Sequence, residues 1–375
     1  MEKQLSIRDH LRKASWGWYS ISMATGGIAV LLYNTPHQFT GLETIGKIVY
    51  IFNLALTSFI TFCMTVRFLS QPSALKESFR DPDETHFIAT CPLTVATIIL
   101  GASSYGTEAC GRWLIVALRV VFWIYVAVSL LQAIFHNWYL YHRHMASHQP
   151  MSILRVLPSF PAMLGGTIAS VIASNQPAEH AIPIIVGGLT LQGFGFTMST
   201  FVYSEYFYSL NKDGLPDLDD RPKMFIAVGP WSFTGLALIG MASAAVEKFP
   251  AGYLISSSAS SSDVAVATGQ IALALASLVA IFLWLLAFFC LCIALCSMLA
   301  PCRAFGGEGG CPMSLTYWSM VFPNTGFVIA TIKIGQVLQS EAVLWVASAM
   351  TILQVAAWLG VGVATVWKVG QSMFL

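Results

Sequence analysis

Charge is what this sequence has least of. Of its 375 residues 10% are charged and 56% hydrophobic, with a mean hydropathy of +0.69, whereas a water-soluble domain carries about 25% charged residues. A soluble globule is excluded, and the bilayer becomes the solvent. The net charge of +1 argues for neither a nucleic acid nor an acidic partner. No GxxxxGK[ST] loop occurs, so no nucleotide drives pumping and any transport follows the gradient of a solute or coupled ion. No His/Asp/Glu cluster such as HExxH lies in an apolar run. An enzyme, a resident metal and a cofactor are therefore not expected. The eight cysteines lack CxxC pairing and read as small packing hydrophobes. Cys302 and Cys311 share a loop, but two ligands do not make a zinc site.

What the chain does have is long apolar runs. A hydrocarbon core of about 30 Å needs about 20 apolar residues per helix, and ten such runs occur: 14–33, 44–69, 86–104, 113–140, 156–174, 181–208, 222–246, 264–299, 314–337 and 342–367. Residues 1–13 form a short polar segment, and the run behind them lacks a cleavage site, so it reads as a retained first span. No connection is long enough for a soluble unit, which makes 1–375 one transmembrane domain. Fourteen Lys and Arg residues, among them Lys3, Arg143, Arg303 and Lys368, fall on one side, against Lys47, Arg112 and Lys248 on the other. Positive residues stay cytoplasmic, so both termini are expected inside.

Helix breakers are distributed unevenly. Odd spans carry Gly26-Gly27, Pro92, Pro158 with Pro161 and Gly165-Gly166, Gly229-Pro230, and Pro323 with Gly326. The second, fourth, eighth and tenth spans have no proline, while the sixth departs from the pattern with Pro183 and four glycines. A proline frees a carbonyl that lipid cannot satisfy. Odd helices are thus expected inside, with unbroken even helices around them.

Of eighteen Asp and Glu residues only Glu205 falls within a span, and a cation route would want acidic rings. The spans instead hold neutral donors Ser22, Thr25, Thr90, Thr94, Ser232, Thr234, Asn324 and Thr325, with cations Arg119 and Lys333. Beside breaks at Gly26, Pro92, Pro161, Gly165, Gly229, Pro230 and Pro323 they are candidate linings of an anion path, since half-helix N-termini favour anions. A lone Ser or Thr in a helix also commonly bonds its own backbone. Arg67, Arg155 and Arg221 stand at span ends, where they hold either an anion or lipid phosphate. His86 and His136 lie near the same side as interfacial histidines or a proton relay, and His142, His144 and His148 cluster in the following loop.

Several of these segments, namely Trp16-Gly17-Trp18, Ser22 to Gly27, Gly41-Leu42, Thr44 to Tyr50, Phe87 to Cys91, Arg221 to Pro230 and Phe322 to Val328, together resemble the fungal malate permease family. That family sits within the tellurite-resistance and dicarboxylate transporter group, beside plant slow anion channels and fungal sulfite efflux pumps. The resemblance implies an all-α membrane fold of ten transmembrane helices, arranged as five hairpins with the odd helices around a central pore. It also implies a homotrimer in the plasma membrane and C4-dicarboxylate substrates (malate, succinate, fumarate), with sulfite efflux or anion conduction on the same fold as the alternative. In channel relatives a phenylalanine directly before a proline on the ninth helix plugs the pore, and the matching residue here is Phe322. Lys333 follows eleven residues later, on nearly the same face at about 3.6 residues per turn and roughly 16 Å further along. It is either a vestibule cation or a lysine snorkelling to headgroups. Arg119, on an even span, is read first as a structural pair at a protomer contact and second as a substrate ligand.

Overall fold

The computed structural model describes residues 14–143, 151–250, 253–254, 262–300 and 314–374. The N-terminal basic cluster, His144, His148, Cys302, Arg303 and Cys311 lie outside the described residues. Among those described there is no strand. The helices of 13 or more residues are α1 Tyr19–Asn34, α2 Leu42–Ser70, α3 Thr90–Cys110, α4 Arg112–His142, α5 Phe160–Ile172, α6 Ala178–Asp213, α7 Val228–Lys248, α8 Ser262–Leu299, α9 Phe322–Val337 and α10 Glu341–Phe374. Each overlaps one expected run. Among the described residues eight helical segments are long and apolar enough to cross a membrane, fewer than the ten expected. The two outside that set are the segments of α1 and α9, whose α-helices have 16 residues each.

The prolines of the odd helices lie not at mid-helix but in the first turn. Pro92, Pro161, Pro230 and Pro323 are the third, second, third and second residues of α3, α5, α7 and α9. A first-turn proline has no hydrogen bond to lose, because that N–H has no intrahelical partner in any case. Short 3₁₀ segments lead into four odd helices: Trp16–Trp18, Ile153–Ser159, Arg221–Ala227 and Leu315–Met320. The discontinuity in those four is therefore a change of helix type at the entrance of the helix.

The glycine pairs, by contrast, interrupt nothing: Gly26-Gly27 and Gly165-Gly166 are continuous α-helix. Their place is explained by close approach. A Cβ at Gly26 would stand 2.7 Å from Asn53 Nδ2 of α2, and one at Gly165 would stand 2.6 Å from Leu191 Cδ1 of α6. The sixth helix follows the same rule, since Gly188 and Gly195 face Ala169 and Met163 of α5. Small residues let helices pack tightly where lipid gives no hydrophobic drive to association.

Contacts among the odd helices close on themselves. α1 packs on α3, α3 on α5, α5 on α7, α7 on α9, and α9 on α1 again. Each also packs on the even helix that follows it. Burial divides along the same line: the most apolar window is 89% buried in the α5 segment and 83% in the α7 segment, against 28% for α2, 22% for α4 and 17% for α10. The core is thus the ring of odd helices, with even helices exposing Leu, Ile, Val and Phe outward.

Gly26→Leu should lower the thermal unfolding midpoint in detergent, because overpacking costs about 1–3 kcal/mol. Gly193, exposed and with nothing within 4 Å of a Cβ, should accept alanine with an unchanged or slightly raised midpoint.

Candidate functional site

Inside the ring lies a cavity of about 720 Å³ walled by all five odd helices. α1 contributes Gly27, Val30 and Asn34; α3 Thr97, Leu100, Ser103 and Ser104; α5 Thr167 and Ser170, with Ser174 in the 3₁₀ turn Ala173–Asn175 that follows it. α7 adds Phe233, Leu236, Gly240, Ser243 and Glu247, and α9 adds Phe322, Thr325, Ile329, Lys333 and Gln336. Hydroxyls dominate the polar lining, and among the described residues its charged members are Lys333 and Glu247. Ser103 and Thr167 are 3% exposed, and their hydroxyl oxygens have no hydrogen-bond partner among the described residues. Buried hydroxyls without partners retain donor capacity for a solute.

Lys333 also lines an adjoining chamber of about 760 Å³ at the end where the odd helices finish. That chamber holds Lys47, Glu43 and Glu108 with Tyr33, Tyr105 and Gln38. Lys47 Nζ donates to Glu43 Oε1 at 2.6 Å, one helical turn away. Two cations thus share one chamber, the deeper of them reaching into the cavity below.

At its other end the cavity meets aromatic rings. Phe322 is 2% exposed and stacks on Phe233 of α7, centroids 5.0 Å apart and planes at 25°. Phe160 of α5 meets both edge-on, at 5.7 Å from Phe233 and 6.3 Å from Phe322. Phe322 also lies against Gly27, where a Cβ would be 3.2 Å from its ring.

Of the residues selected from sequence, Phe322, Thr325 and Lys333 line the cavity, and the others serve the helices themselves. Ser22 donates to Asn53 Oδ1 of α2 at 2.8 Å, and Thr25 accepts from Trp358 Nε1 of α10 at 3.2 Å. Thr90 and Thr94 donate to the carbonyls of Trp16 and Tyr19, tying α3 to the start of α1. Thr234 accepts from Gln192 Nε2 of α6, and Ser232 donates to its own helix at Val228. Pro161 offers its carbonyl to Tyr125, and Asn324 Nδ2 donates to Met320 O. Gly229 is covered by Phe160, whose ring a Cβ would meet at 2.9 Å. Gly26, Pro92, Gly165, Pro230 and Pro323 hold the packing and first-turn roles described above.

The four arginines are likewise absent from the cavity wall. Arg67 forms a two-pronged pair with Glu84 at 2.5 and 3.2 Å, side chains 11% and 15% exposed, and Glu84 also accepts from the Trp16 backbone N–H. Arg155 pairs with Glu205 at 3.1 Å, and Arg221 donates to the carbonyls of Ser297 and Pro216, closing the end of α8. Arg119 sits half-buried on α4 among outward-facing Val116, Val120 and Trp123. Of the histidines, His136 is buried beside Thr85, Gln132 and Phe79, and His86 Nδ1 bonds Pro82 O at 2.7 Å.

The lining that breaker residues did not reveal follows helical spacing. Thr97, Leu100 and Ser104 recur at i, i+3, i+7, as do Thr167, Ser170 and Ser174 and, on α9, Phe322, Thr325 and Ile329. Small hydroxyl residues at that spacing in the C-terminal halves of odd spans were the available signal.

Arg67→Ala should cost on the order of 3 kcal/mol by stranding Glu84, read as a lower thermal midpoint and yield. The protein that still folds should keep the parent half-saturating substrate concentration.

A family model described as a voltage-dependent anion channel, SLAC1, matches residues 13–366. The malic acid transport protein of Schizosaccharomyces pombe is 34% identical over 336 residues, covering 90% of this chain and 74% of that protein. A second protein of the same yeast, also named for malic acid transport, is 32% identical over 356 residues, covering 95% and 80%. The sulfite efflux pump SSU1 of Arthroderma benhamiae is 25% identical over 354 residues, covering 94% and 90%. The match runs through all five odd helices, and the chain is a multi-pass membrane protein belonging to the SLAC1 voltage-dependent anion channel family.

Proposed function

We propose that this chain is a permease for C4-dicarboxylates such as malate, succinate and fumarate, which cross through the cavity inside the odd-helix ring. Ten spans form five hairpins with both termini cytoplasmic, so that the Lys333 chamber faces outward. Counting their 3₁₀ lead-ins at ~2.0 Å per residue, α1 reaches about 30 Å and α9 about 36 Å, enough for both to span. The path is complete within one chain, which suits a plasma-membrane homotrimer with one pore per protomer.

The observation that carries the reading is Lys333 standing between the hydroxyl-lined cavity and a chamber holding a second cation, Lys47. A dianion leaving water needs charge-assisted bonds at both ends. Lys333 offers one at the cavity mouth, Lys47 offers the second on exchanging Glu43 for the substrate carboxylate, and Ser and Thr hydroxyls take over beyond. Phe322 closes the way onward. Sulfite, the substrate named for the more distant relatives, is small and needs only one cation, and this keeps sulfite export as the second reading.

Uptake of labelled malate into proteoliposomes tests both readings. Succinate and fumarate should compete with malate, and acetate and lactate should compete poorly. Lys333→Gln should raise the half-saturating malate concentration on the order of tenfold, and Lys333→Arg much less, since charge at a focused mouth sets local anion concentration. Competition by sulfite without competition by succinate would overturn the dicarboxylate reading.

A further inference from the structure

Phe322 does not stand alone at the bottom of the cavity. Three rings from three helices meet there, and each lies on a glycine of the next helix in the ring. Phe160 of α5 covers Gly229 of α7, Phe233 of α7 covers Gly326 of α9, and Phe322 of α9 covers Gly27 of α1, with an added Cβ falling 2.9, 2.7 and 3.2 Å from the respective rings. All three are at most 4% exposed. The seats are one-directional, α5 to α7 to α9 to α1, in the order in which these helices pack.

Phe322 is held between Gly27 on one side and the face of Phe233 on the other. Phe233 in turn rests on Gly326, one turn beyond Phe322 on the same helix. Any movement that swings Phe322 out of the path must therefore break the 5.0 Å stack or shift the seat beneath Phe233. Removing Phe322 leaves nothing for Phe233 to hold.

We propose that Phe233 is a positioning residue, the latch that keeps Phe322 in its plugging position, and that it acts on flux only through Phe322. The proposal rests on the reading of the cavity as the anion path with Phe322 as its plug. An offset aromatic pair accounts for about a two- to tenfold bias between two states, so Phe233→Ala should raise maximal malate flux by that factor. The half-saturating concentration should stay put, because Lys333 and the hydroxyl lining are untouched. Phe233→Leu keeps most of the volume over Gly326 but not the stack, and should move flux in the same direction with a parent-like thermal midpoint.

The test is a double-mutant cycle on Phe233 and Phe322 in proteoliposomes. Phe322→Ala should raise flux, and adding Phe233→Ala to it should change nothing more. Independent, multiplying effects would overturn the latch. So would unchanged flux in a folded Phe233→Leu protein while Phe322→Ala still conducts more. Unchanged flux in Phe322→Ala itself would remove the plug and the latch together, and so marks failure of the underlying reading.

Discussion

Lipid offers a peptide group no hydrogen bond, and that constraint governs how a hole can be kept in this protein. A cavity at the centre of a membrane domain needs irregular, polar, close-approaching helices around it, and none of these features is tolerated against acyl chains. The chain separates the two demands. Ring helices carry the 3₁₀ entrances and first-turn prolines, while the long even helices, of 29 to 38 residues, carry apolar exteriors and, except at Pro183 of α6, uninterrupted helical hydrogen-bonding. Polar ties between the layers, such as Tyr125 to Pro161, Gln192 to Thr234 and Trp358 to Thr25, satisfy groups that face away from both lipid and cavity.

Close approach sets the scale of everything inside that shell. Glycine opposite a bulky side chain recurs from Gly26 at Asn53 to Gly326 at Phe233, so the ring helices sit near enough for phenylalanine rings to reach across the axis. The same choice makes the closure narrow and its parts interdependent. A ring seated on a glycine has a definite place, whereas one seated on a mobile side chain would not.

The layer organisation was largely legible in the sequence, because hydropathy separates spans and proline marks four of the five odd helices but only one even one. The meaning of the breakers was only half legible. Pro161 and Pro323 do mark inner helices, but they start them and do not kink them. Position relative to a helix start depends on where the 3₁₀ lead-in ends, and hydropathy carries no trace of that. Site residues were harder for a different reason. An inner helix such as α1 is buried on nearly every side, Ser22 at 0% and Gly27 alike, so polarity cannot tell the face toward α2 from the face toward the cavity. Thr94 and Thr97 read identically by type, yet Thr94 ties α3 to Tyr19 and Thr97 lines the cavity. Lys333 stood out because charge is rare in spans and Phe322 because the family resemblance marks it, whereas the hydroxyls of Ser103, Thr167 and Ser170 did not because they are common.

The central claim is that the cavity within the odd-helix ring is the route taken by the anion. Its most direct test places single cysteines, in a cysteine-free background that still transports, at Ser170 on the α5 wall and at Val116 on the outward face of α4. A negatively charged, membrane-impermeant thiol reagent applied from the side where the odd helices end should block malate flux through Ser170→Cys, with malate slowing the block. Val116→Cys should be indifferent to it. Full modification of Ser170→Cys with flux unchanged would contradict the account.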